Sequence, residues 1–366
     1  ALNKQQMQLH LMSISRNALN KQQMQLLQTA ISNTHRKAGC DCSQLEPEFN
    51  PWFLSFKDIV NSKSGNVRQW AKAFIADYEK VHKLGEQIYK CYNVANDEGK
   101  KAILCFLKNL IGKNVYCDIF IQSLILELTP SDETLRSLVK SSRSGVFSKQ
   151  EKLCLLGNLA NRAFVKSIHF SYKTQLLMQE FYKSCFMEWE NSVIQQYPYR
   201  KWPERNRKRL VLVSTQLLTE RHAPTHKLLS FLKVLDKELG YEIMVINSAS
   251  LPRKVLVPIF RPLLVYNVDQ YNTFNVLDYQ GAKAKFYQFR FYPFDVNEIN
   301  RVLDTIYEFN PALVLGVGDY NMIADMCKQF TAAAVLPNAA QLPITVADYY
   351  ITLTSLQGSE PINNVI

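Results

Sequence analysis

Two histidines follow an apolar strand in the stretch RLVLVSTQLLTERHAPTHKLLSFL, and their position could support chemistry on an anion. His222 stands just before Ala223 and Pro224, and we expect Pro224 at the first position of a helix. A helix N-terminus offers free backbone N–H groups and a partial positive charge. An imidazole that titrates near neutral pH can donate a hydrogen bond there or take a proton. The alternative is that His222 caps the loop and that His226 is a solvated helix residue.

Polar residues also follow the ends of two other predicted segments. Gly318 ends the strand PALVLGVG, and Asp319 comes next, either as a helix N-cap or as a residue that contacts a ligand. The turn LPNAAQLPITVADYY supplies further polar groups, which ordinary loop chemistry explains nearly as well as a site does. The candidate site residues are Thr215, Gln216, His222, Thr225, His226, Gly318, Asp319, Gln341 and Thr345.

Motifs for common cofactors and metals are missing from the sequence. No G-x-G-x-x-G follows the first strand, and Walker A, H-E-x-x-H and paired C-x-x-C motifs are absent. Cys40 and Cys42 with His35 do not make a complete zinc ligand set. The 8 cysteines are scattered, several on apolar helix faces, so we expect reduced core thiols. We expect neither a metal nor a cofactor.

The periodicity of apolar residues changes along the chain. From residue 49 to 198 it is helical and predicts an all-helical domain, which ends in one long helix from about 150 to 196. A basic stretch at 199–208 is expected to be a solvated linker. From 209 to 366, strands alternate with helices, with RLVLVS, YEIMVINS, PLLVYNV, KFYQFRFY, PALVLGVG and AAAVLP as strands. This alternation predicts a Rossmann-like, mostly parallel sheet with helices on both faces.

The N-terminal segment, residues 1–48, contains a duplication. ALNKQQMQL occurs at 1–9 and again at 18–26 without divergence, so we expect residues 1–11 to be artefactual and Met12 to be the natural start. We find neither a signal peptide nor an apolar run long enough to span a membrane, and we expect a cytoplasmic protein. The net charge of +11 sets the sign of the electrostatic field but does not identify a partner.

Two stretches carry a resemblance to a known family. LVLVSTQLLTERHAPTHKLL resembles the first strand, loop and helix start in the catalytic region of protein O-GlcNAc transferases, with their His-Pro-Thr-x-His motif. QLPITVADYYITLT resembles the end of the same half-domain, where that family has a Gly-x-Pro-x-Thr turn followed by Asp-Tyr. The order of domains is similar to that of bacterial cytoplasmic glycosyltransferases of high-molecular-weight adhesins. Ala223 interrupts the His-Pro pair, and Gln341 replaces the glycine.

The resemblance implies the first half of a GT-B fold in an inverting, metal-independent protein glycosyltransferase. Such an enzyme moves a hexose from a nucleotide sugar, which we expect to be a UDP-hexose, to a protein side chain. His222 would be catalytic, and the other candidate residues would bind acceptor or phosphate. Because a GT-B enzyme needs two Rossmann-like domains, we expect the donor site beyond Ile366 and no activity from this chain alone.

The expected partners follow from this assignment. An enzyme would bind an acceptor polypeptide such as a bacterial adhesin. The alternative is a non-catalytic, glycosyltransferase-like adaptor that binds an active glycosyltransferase subunit. Binding of nucleic acid through the basic stretch is a weaker third hypothesis, because FYQFRFYPF is patterned like a buried strand and not like a stacking platform.

Overall fold

A computed structural model of the protein describes residues 78–112, 114–193, 196–266, 268–292, 294–338 and 343–351. The N-terminal segment, the predicted helical residues before 78, Cys40, Cys42, His35 and Gln341 lie outside these ranges. The chain divides into two compact units. The described part of the first unit runs from residue 78 to Ser141 and includes Val257–Pro262, and the second unit contains the remaining described residues.

The described part of the first unit is helical, as predicted. Its helices are α1 (Tyr78–Val94), α2 (Asp97–Asn109), α3 (Val115–Leu128) and α4 (Asp132–Ser142). The segment Val257–Pro262 belongs here because the fully buried Phe260 packs against two rings of this unit. Its ring lies edge-on to Phe120 and stacks with the imidazole of His82. The Arg261 guanidinium also makes a two-pronged ion pair with Glu86, at 2.6 and 2.7 Å. An insertion from a later part of the chain thus completes the core of this unit.

Two helices of the second unit precede its sheet. They are α5 (Lys149–Val165) and α6 (Tyr172–Glu190). The prediction of one long helix from 150 to 196 is wrong, because the chain turns at Ser167, whose φ is 52°. Ser171 then caps α6 by accepting a hydrogen bond from the Thr174 N–H. The compact units also differ from the predicted domain limits, since α5 and α6 group with the sheet and not with the preceding helices.

The sheet has seven strands in the order β3-β4-β2-β1-β5-β6-β7. The strands are β1 (Asn206–Ser214), β2 (Glu242–Asn247), β3 (Val276–Tyr279), β4 (Ala282–Gln288), β5 (Pro311–Val317), β6 (Ala332–Leu336) and β7 (Tyr349–Tyr350). The helices between them are α7 (Ala223–Lys233), α8 (Val296–Phe309) and α9 (Met322–Met326). All pairs are parallel except β3 with β4. The predicted α/β class with a mostly parallel sheet is therefore confirmed.

The central strands are buried because both faces of a parallel sheet are covered. Leu212 of β1, Val245 of β2 and Phe286 of β4 pack with Leu228 and Leu232 of α7 in one apolar cluster. The prediction of a strand at PLLVYNV is wrong, since the described residues there form no ladder. The strand β3, which was not predicted, follows this segment and pairs through a Gln-Gly turn with β4, which overlaps the predicted strand KFYQFRFY.

The basic stretch predicted as a linker at 199–208 is built into the second unit, because β1 already begins at Asn206. The side chain of Arg205 is 8% exposed and donates to the carbonyls of Arg200 and Ala312 and to the Tyr199 hydroxyl. Much of the basic charge in this stretch therefore satisfies backbone acceptors. The prediction missed this because a solvated face and a carbonyl-binding face have the same composition.

Two further expectations concern cysteines and membranes. Among the described cysteines, Cys91, Cys117, Cys154, Cys185 and Cys327 are free, as predicted. Cys105 is disulfide-bonded, so the prediction of reduced thiols throughout is wrong at this position. Within the residues that the structure describes, no helix combines the length and apolarity needed to cross a bilayer.

Helix α5 approaches the loop after β2 through Gly157, where a Cβ would lie 2.7 Å from the Pro252 ring. Alanine usually stabilises a helix by about 1 kcal/mol relative to glycine. We expect the opposite here: Gly157→Ala lowers the free energy of unfolding by about 1 to 2 kcal/mol, because a proline ring cannot move aside cheaply. Gly145→Ala is the control, since nothing lies within 4 Å of its Cβ position. Equal urea midpoints for both variants would contradict the expectation.

Candidate functional site

A cleft of about 200 Å³ opens beside the carboxyl ends of β1 and β5. In the sheet, β2 and β4 lie on one side of β1, whereas β5, β6 and β7 follow on its other side. The direction in which successive strands are added reverses between β1 and β5, so this pair forms the topological switch point. Ligands of open α/β sheets bind at such places. The lining residues of the cleft are Ala160, Asn161, Phe164, Phe170, Ser214, Thr215, Gln216, His222, Pro224, Leu251, Gly318, Asp319, Tyr320, Asn338 and Ile344.

The end of β1 is held rigidly where it meets the cleft. The Ser214 hydroxyl donates to the Gln216 carbonyl at 2.7 Å and accepts from the Gln216 N–H, which fixes the first turn of the loop. The buried Asn321 side chain donates to the Val213 carbonyl and thereby ties the end of β1 to the loop after β5. Thr215 and Gln216 line the cleft as predicted.

His222 also lines the cleft and precedes α7 as its N-cap. Because α7 begins at Ala223, Pro224 occupies the second helical position and not the predicted first. The His222 side chain makes no capping bond, so the alternative that it caps the loop is not what the structure shows. Its Nδ1 lies 3.0 Å from Thr225 Oγ1.

Thr225 holds the His222 ring in place through a hydrogen bond with its Nδ1. The Thr225 side chain is fully buried, and its Oγ1 accepts a hydrogen bond from the Leu218 N–H at 2.9 Å. The same oxygen lies within hydrogen-bond distance of His222 Nδ1, and the tautomer of the ring decides which of the two groups donates. Burial lowers the pKa of His222 and so favours the neutral ring. Thr225 therefore acts on the cleft through His222 and does not line it.

The backbone after β5 adopts conformations that non-glycine residues rarely take. Gly318 has a φ of 98°, and a Cβ there would lie 2.9 Å from the Asn338 amide nitrogen. Tyr320 has a φ of 45° although it carries a side chain. Its N–H donates to the Ile344 carbonyl at 2.7 Å, which holds this turn in place. Gly318 thus lets the backbone line the cleft closely, as its position in the sequence predicted.

Asp319 is a carboxyl group without a hydrogen-bond partner among the described residues. Its Oδ1 is buried and unpaired, while the residue as a whole keeps partial exposure. Burial raises the pKa of Asp319 to about 7, and the positive charge of Lys227 opposes this shift. Asn321 caps α9 by accepting a hydrogen bond from the Ala324 N–H, so the N-cap alternative for Asp319 is wrong. Asp319 is therefore available to a ligand.

One wall of the cleft was not predicted from the sequence. Ala160, Asn161 and Phe164 of α5 contribute to it, with Phe170 from the turn that follows. Asn161 accepts a hydrogen bond from the Tyr320 hydroxyl at 3.4 Å, and the Phe164 side chain is 75% exposed. A phenylalanine at a helix end carries no sequence signal that distinguishes a cleft wall from a core position.

Besides Thr225, three predicted site residues are not shown to line the cleft. His226 is exposed on α7 and does not line the cleft, which agrees with the solvated alternative. Thr345 is fully buried and donates to Asp325, so its role is structural and the prediction that it binds acceptor or phosphate is wrong. Gln341 lies outside the described residues.

The fold and the cleft together define a mostly parallel α/β protein with an open site at its switch point. No protein-family model matches the chain, and no curated protein matches it significantly. The described residues contain no cluster of His, Cys, Asp and Glu that could hold a metal ion.

Proposed function

We propose that the chain provides the acceptor-side half of an inverting protein glycosyltransferase, which transfers a hexose from a nucleotide sugar such as a UDP-hexose to a polypeptide. The observation that carries the proposal is the cleft at the carboxyl ends of β1 and β5, lined by His222, Thr215, Gln216 and Gly318. This is where the resemblance to the O-GlcNAc transferase and adhesin glycosyltransferase families expects acceptor and donor to meet.

The size of the cleft supports the idea that this chain provides only one side of the active site. Its volume is about 200 Å³, whereas complete pockets for drug-sized ligands occupy roughly 300 to 1,000 Å³. The described lining contains no Lys or Arg that could neutralise a diphosphate. A second, donor-binding domain would have to supply those charges across the cleft. The acceptor group would then enter between His222 and Asp319.

Transfer of labelled hexose tests the proposal. We would supply UDP-hexoses and peptides containing Ser, Thr or Asn, with and without a donor-binding domain from an adhesin glycosyltransferase added in trans. We expect transfer only with both parts present. His222→Ala should reduce it by about 100-fold, because the donor hydrogen bond to the reacting groups is lost. His226→Ala is the matched control and should leave the rate unchanged, since His226 is exposed outside the cleft lining.

The outcome that would end this proposal is the absence of transfer by the combined parts with every hexose donor tested. Equal losses in His222→Ala and His226→Ala would also oppose it, because a general effect on the start of α7 would then explain both.

The second candidate function is the non-catalytic adaptor, and exposed apolar side chains on α5 and α6 favour it. Phe164, Val165, Tyr172 and Met187 are between 53% and 75% exposed. Exposed apolar groups of this size are typical of surfaces that bind another protein. Binding of an active glycosyltransferase subunit that Met187→Ser abolishes and His222→Ala leaves intact would favour the adaptor over the enzyme.

A further inference from the structure

Asp319 gives the cleft a negative charge that no group in the described lining neutralises. It carries the only carboxyl group of that lining, which contains no Lys or Arg. Its Oδ1 is buried and receives no hydrogen bond from a described residue. The undescribed residues 339–342, AAQL, contain no ionisable side chain. A buried carboxylate without a counter-charge is unfavourable, so pairing with a cation would stabilise its ionised form.

Lys227 of α7 acts on Asp319 through its charge but does not pair with it. The Lys227 ammonium donates to the Pro337 carbonyl at 2.8 Å, and Asp319 Oδ1 receives no hydrogen bond from it. Its positive charge lowers the pKa of Asp319, yet burial is the larger effect and raises this pKa to about 7. Lys227 also does not line the cleft. The carboxylate is therefore open to pairing with a cationic ligand.

Four of the other polar residues in the lining already make hydrogen bonds within the fold. The Ser214 hydroxyl both donates to and accepts from the backbone of the loop that follows it. The Tyr320 hydroxyl donates to the Asn161 side-chain oxygen at 3.4 Å. His222 is hydrogen-bonded to Thr225 through Nδ1, and burial favours the neutral ring. These four residues thus add no charge that would offset Asp319.

The three remaining polar side chains make no side-chain hydrogen bond in the described part of the chain. They are Thr215, Gln216 and Asn338. Each has an oxygen that can accept a hydrogen bond, in a hydroxyl group or in an amide. An ammonium group has three donors and no acceptor, so it can use these oxygens together with the carboxylate. An anionic ligand would be repelled by Asp319 instead.

Apolar side chains complete the lining of the cleft. Phe164 and Phe170 belong to the wall formed by α5 and the turn after it, and Leu251 and Ile344 also line the cleft. Burial of aliphatic groups against such a surface is favourable, and the face of a phenylalanine ring attracts an organic cation. The cleft therefore combines one anionic group, several neutral acceptors and an aromatic wall. This combination suits a cation that is carried on an alkyl chain.

We infer that the cleft binds an alkylammonium group, which donates a charge-assisted hydrogen bond to the Asp319 carboxylate while its carbon chain packs against the wall containing Phe164 and Phe170. The ammonium belongs either to a free aliphatic amine or to a lysine side chain of a polypeptide. The inference goes beyond the proposed function, because hexose transfer does not require a cationic ligand. Binding is measured on this chain alone, so the failure of either proposal can be recognised separately.

A proton and an ammonium group compete for the same carboxylate. Bound amine should therefore move the titration midpoint of Asp319 to lower pH. The other titratable groups near it are His222, Tyr320 and Lys227. Burial raises the pKa of Tyr320, which keeps its hydroxyl neutral, whereas a protonated His222 would repel the ammonium. Binding should therefore tighten as the pH rises to 8, where an alkylammonium with a pKa of about 10.4, like that of lysine, is still charged.

The experiment uses the full chain at pH 8 and three probes with the same carbon chain. Pentylamine supplies the cation, 1-pentanol is uncharged, and pentanoate is an anion. Binding is followed by calorimetry and by the ¹³C shift of the Asp319 carboxyl group, assigned by its loss in Asp319→Asn. We expect pentylamine to bind at least about tenfold more tightly than pentanol, because a hydrogen bond between charged groups is stronger than one to a neutral group. Pentanoate should leave the Asp319 signal unchanged.

A peptide distinguishes the two sources of the ammonium group. The probe is Gly-Gly-Lys-Gly-Gly with an acetylated N-terminus and an amidated C-terminus, so that its lysine is its only charged group. Tighter binding of this peptide than of pentylamine identifies a lysine of a polypeptide as the ligand, and the reverse order identifies a free amine. The same peptide with an acetylated lysine side chain should not bind, because acetylation removes the charge.

Three variants test the assignment of the contacts. Asp319→Asn should weaken the binding of pentylamine by at least about tenfold and remove its advantage over pentanol. Glu308→Gln is the matched control, since Glu308 is exposed near the end of α8, which leads to the first residue of β5 at the edge of the sheet opposite the cleft. Phe164→Ala should weaken pentylamine and pentanol alike, because both lose contact with the same wall.

The ammonium site is overturned if pentylamine does not shift the Asp319 signal or if pentanoate binds as tightly as pentylamine. An equal loss of pentylamine binding in Glu308→Gln and Asp319→Asn would also overturn it. Amine binding without hexose transfer in the combined system would reject the proposed function alone. Transfer without amine binding would reject the ammonium site alone.

Discussion

Asp319→Asn is expected to make the protein more stable at pH 8 by about 2 to 4 kcal/mol, although it removes a charged group from the cleft. The pKa of Asp319 is raised to about 7 in the folded protein from an ordinary value of 3.8. Between these two values the folded state holds a proton that the unfolded state has released. The free energy of unfolding therefore falls as the pH rises from about 4 to 7, and it stays at the lower level above pH 7.

The asparagine variant does not carry this penalty because its amide never ionises. At pH 5 the wild-type carboxyl is protonated in the folded state but already ionised in the unfolded state, so only about 1 to 2 kcal/mol of the penalty is present and the two proteins differ less than at pH 8. Urea unfolding of the wild type and the variant at pH 5 and pH 8 measures the difference. A constant difference for Asp319→Asn at both values would show that burial does not raise the pKa of this carboxyl.

A destabilising carboxyl at the mouth of a cleft has a functional explanation. Proteins keep unfavourable groups where a ligand or a reaction requires them, and replacing such a group often increases stability at the expense of activity. Gly318 and Tyr320, the neighbours of Asp319, both have positive φ angles, so the backbone of this turn is also in a rarely populated conformation. We therefore expect the same substitution that stabilises the fold to weaken binding in the cleft.

The sequence allowed the sheet and one side of the site to be predicted. The alternation of strands and helices after residue 209 predicted the parallel sheet, and the polar residues after β1 and β5 predicted that Thr215, Gln216, His222, Gly318 and Asp319 line one cleft. Such a prediction works because the carboxyl ends of parallel strands lie at one edge, so residues distant in the chain come together there.

The other side of the site could not be predicted. The wall that α5 supplies depends on how a helix from an earlier part of the chain approaches the turn after β5, where Asn161 meets Tyr320, and the sequence of α5 does not encode its neighbours. The break after Val165 was also missed, since the turn around Ser167 contains neither Gly nor Pro. Thr345 was assigned to the site because it follows a polar turn, yet its hydroxyl bonds to Asp325, which lies inside the fold.

Asp325→Ala is expected to have the largest effect on stability, a loss of about 3 to 5 kcal/mol. Asp325 is fully buried and accepts three hydrogen bonds, from the Tyr182 hydroxyl at 2.5 Å, the Thr345 hydroxyl at 2.5 Å and the Val346 N–H at 3.0 Å. Alanine would leave all three donors without this acceptor, and the Tyr182 and Thr345 side chains are fully buried. The donors come from α6 and from the segment before β7, so this carboxyl connects parts of the second unit that are distant in the sequence.

Burial is the main cause of the raised pKa of both Asp325 and Asp319, but the two carboxyl groups differ in their hydrogen-bond partners. Burial raises the pKa of Asp325 to about 6, and the bonds from Thr345, Tyr182 and Val346 oppose the shift. Three hydrogen bonds make Asp325 a structural residue, whereas Asp319 has none among the described residues. Replacing Asp325 should therefore destabilise the protein at both pH 5 and pH 8, in contrast to Asp319→Asn.

Two comparison variants test the role of the hydrogen bonds at Asp325. Asp325→Asn keeps one acceptor oxygen and should cost about half as much as alanine. Asp304→Ala removes a carboxylate that accepts one bond, from the Tyr197 hydroxyl at 2.8 Å, and should cost about 1 kcal/mol. Urea unfolding of the three variants should rank Asp325→Ala as the least stable and Asp304→Ala as the most stable. If Asp325→Ala unfolds within 1 kcal/mol of the wild type, the three hydrogen bonds do not hold this unit together.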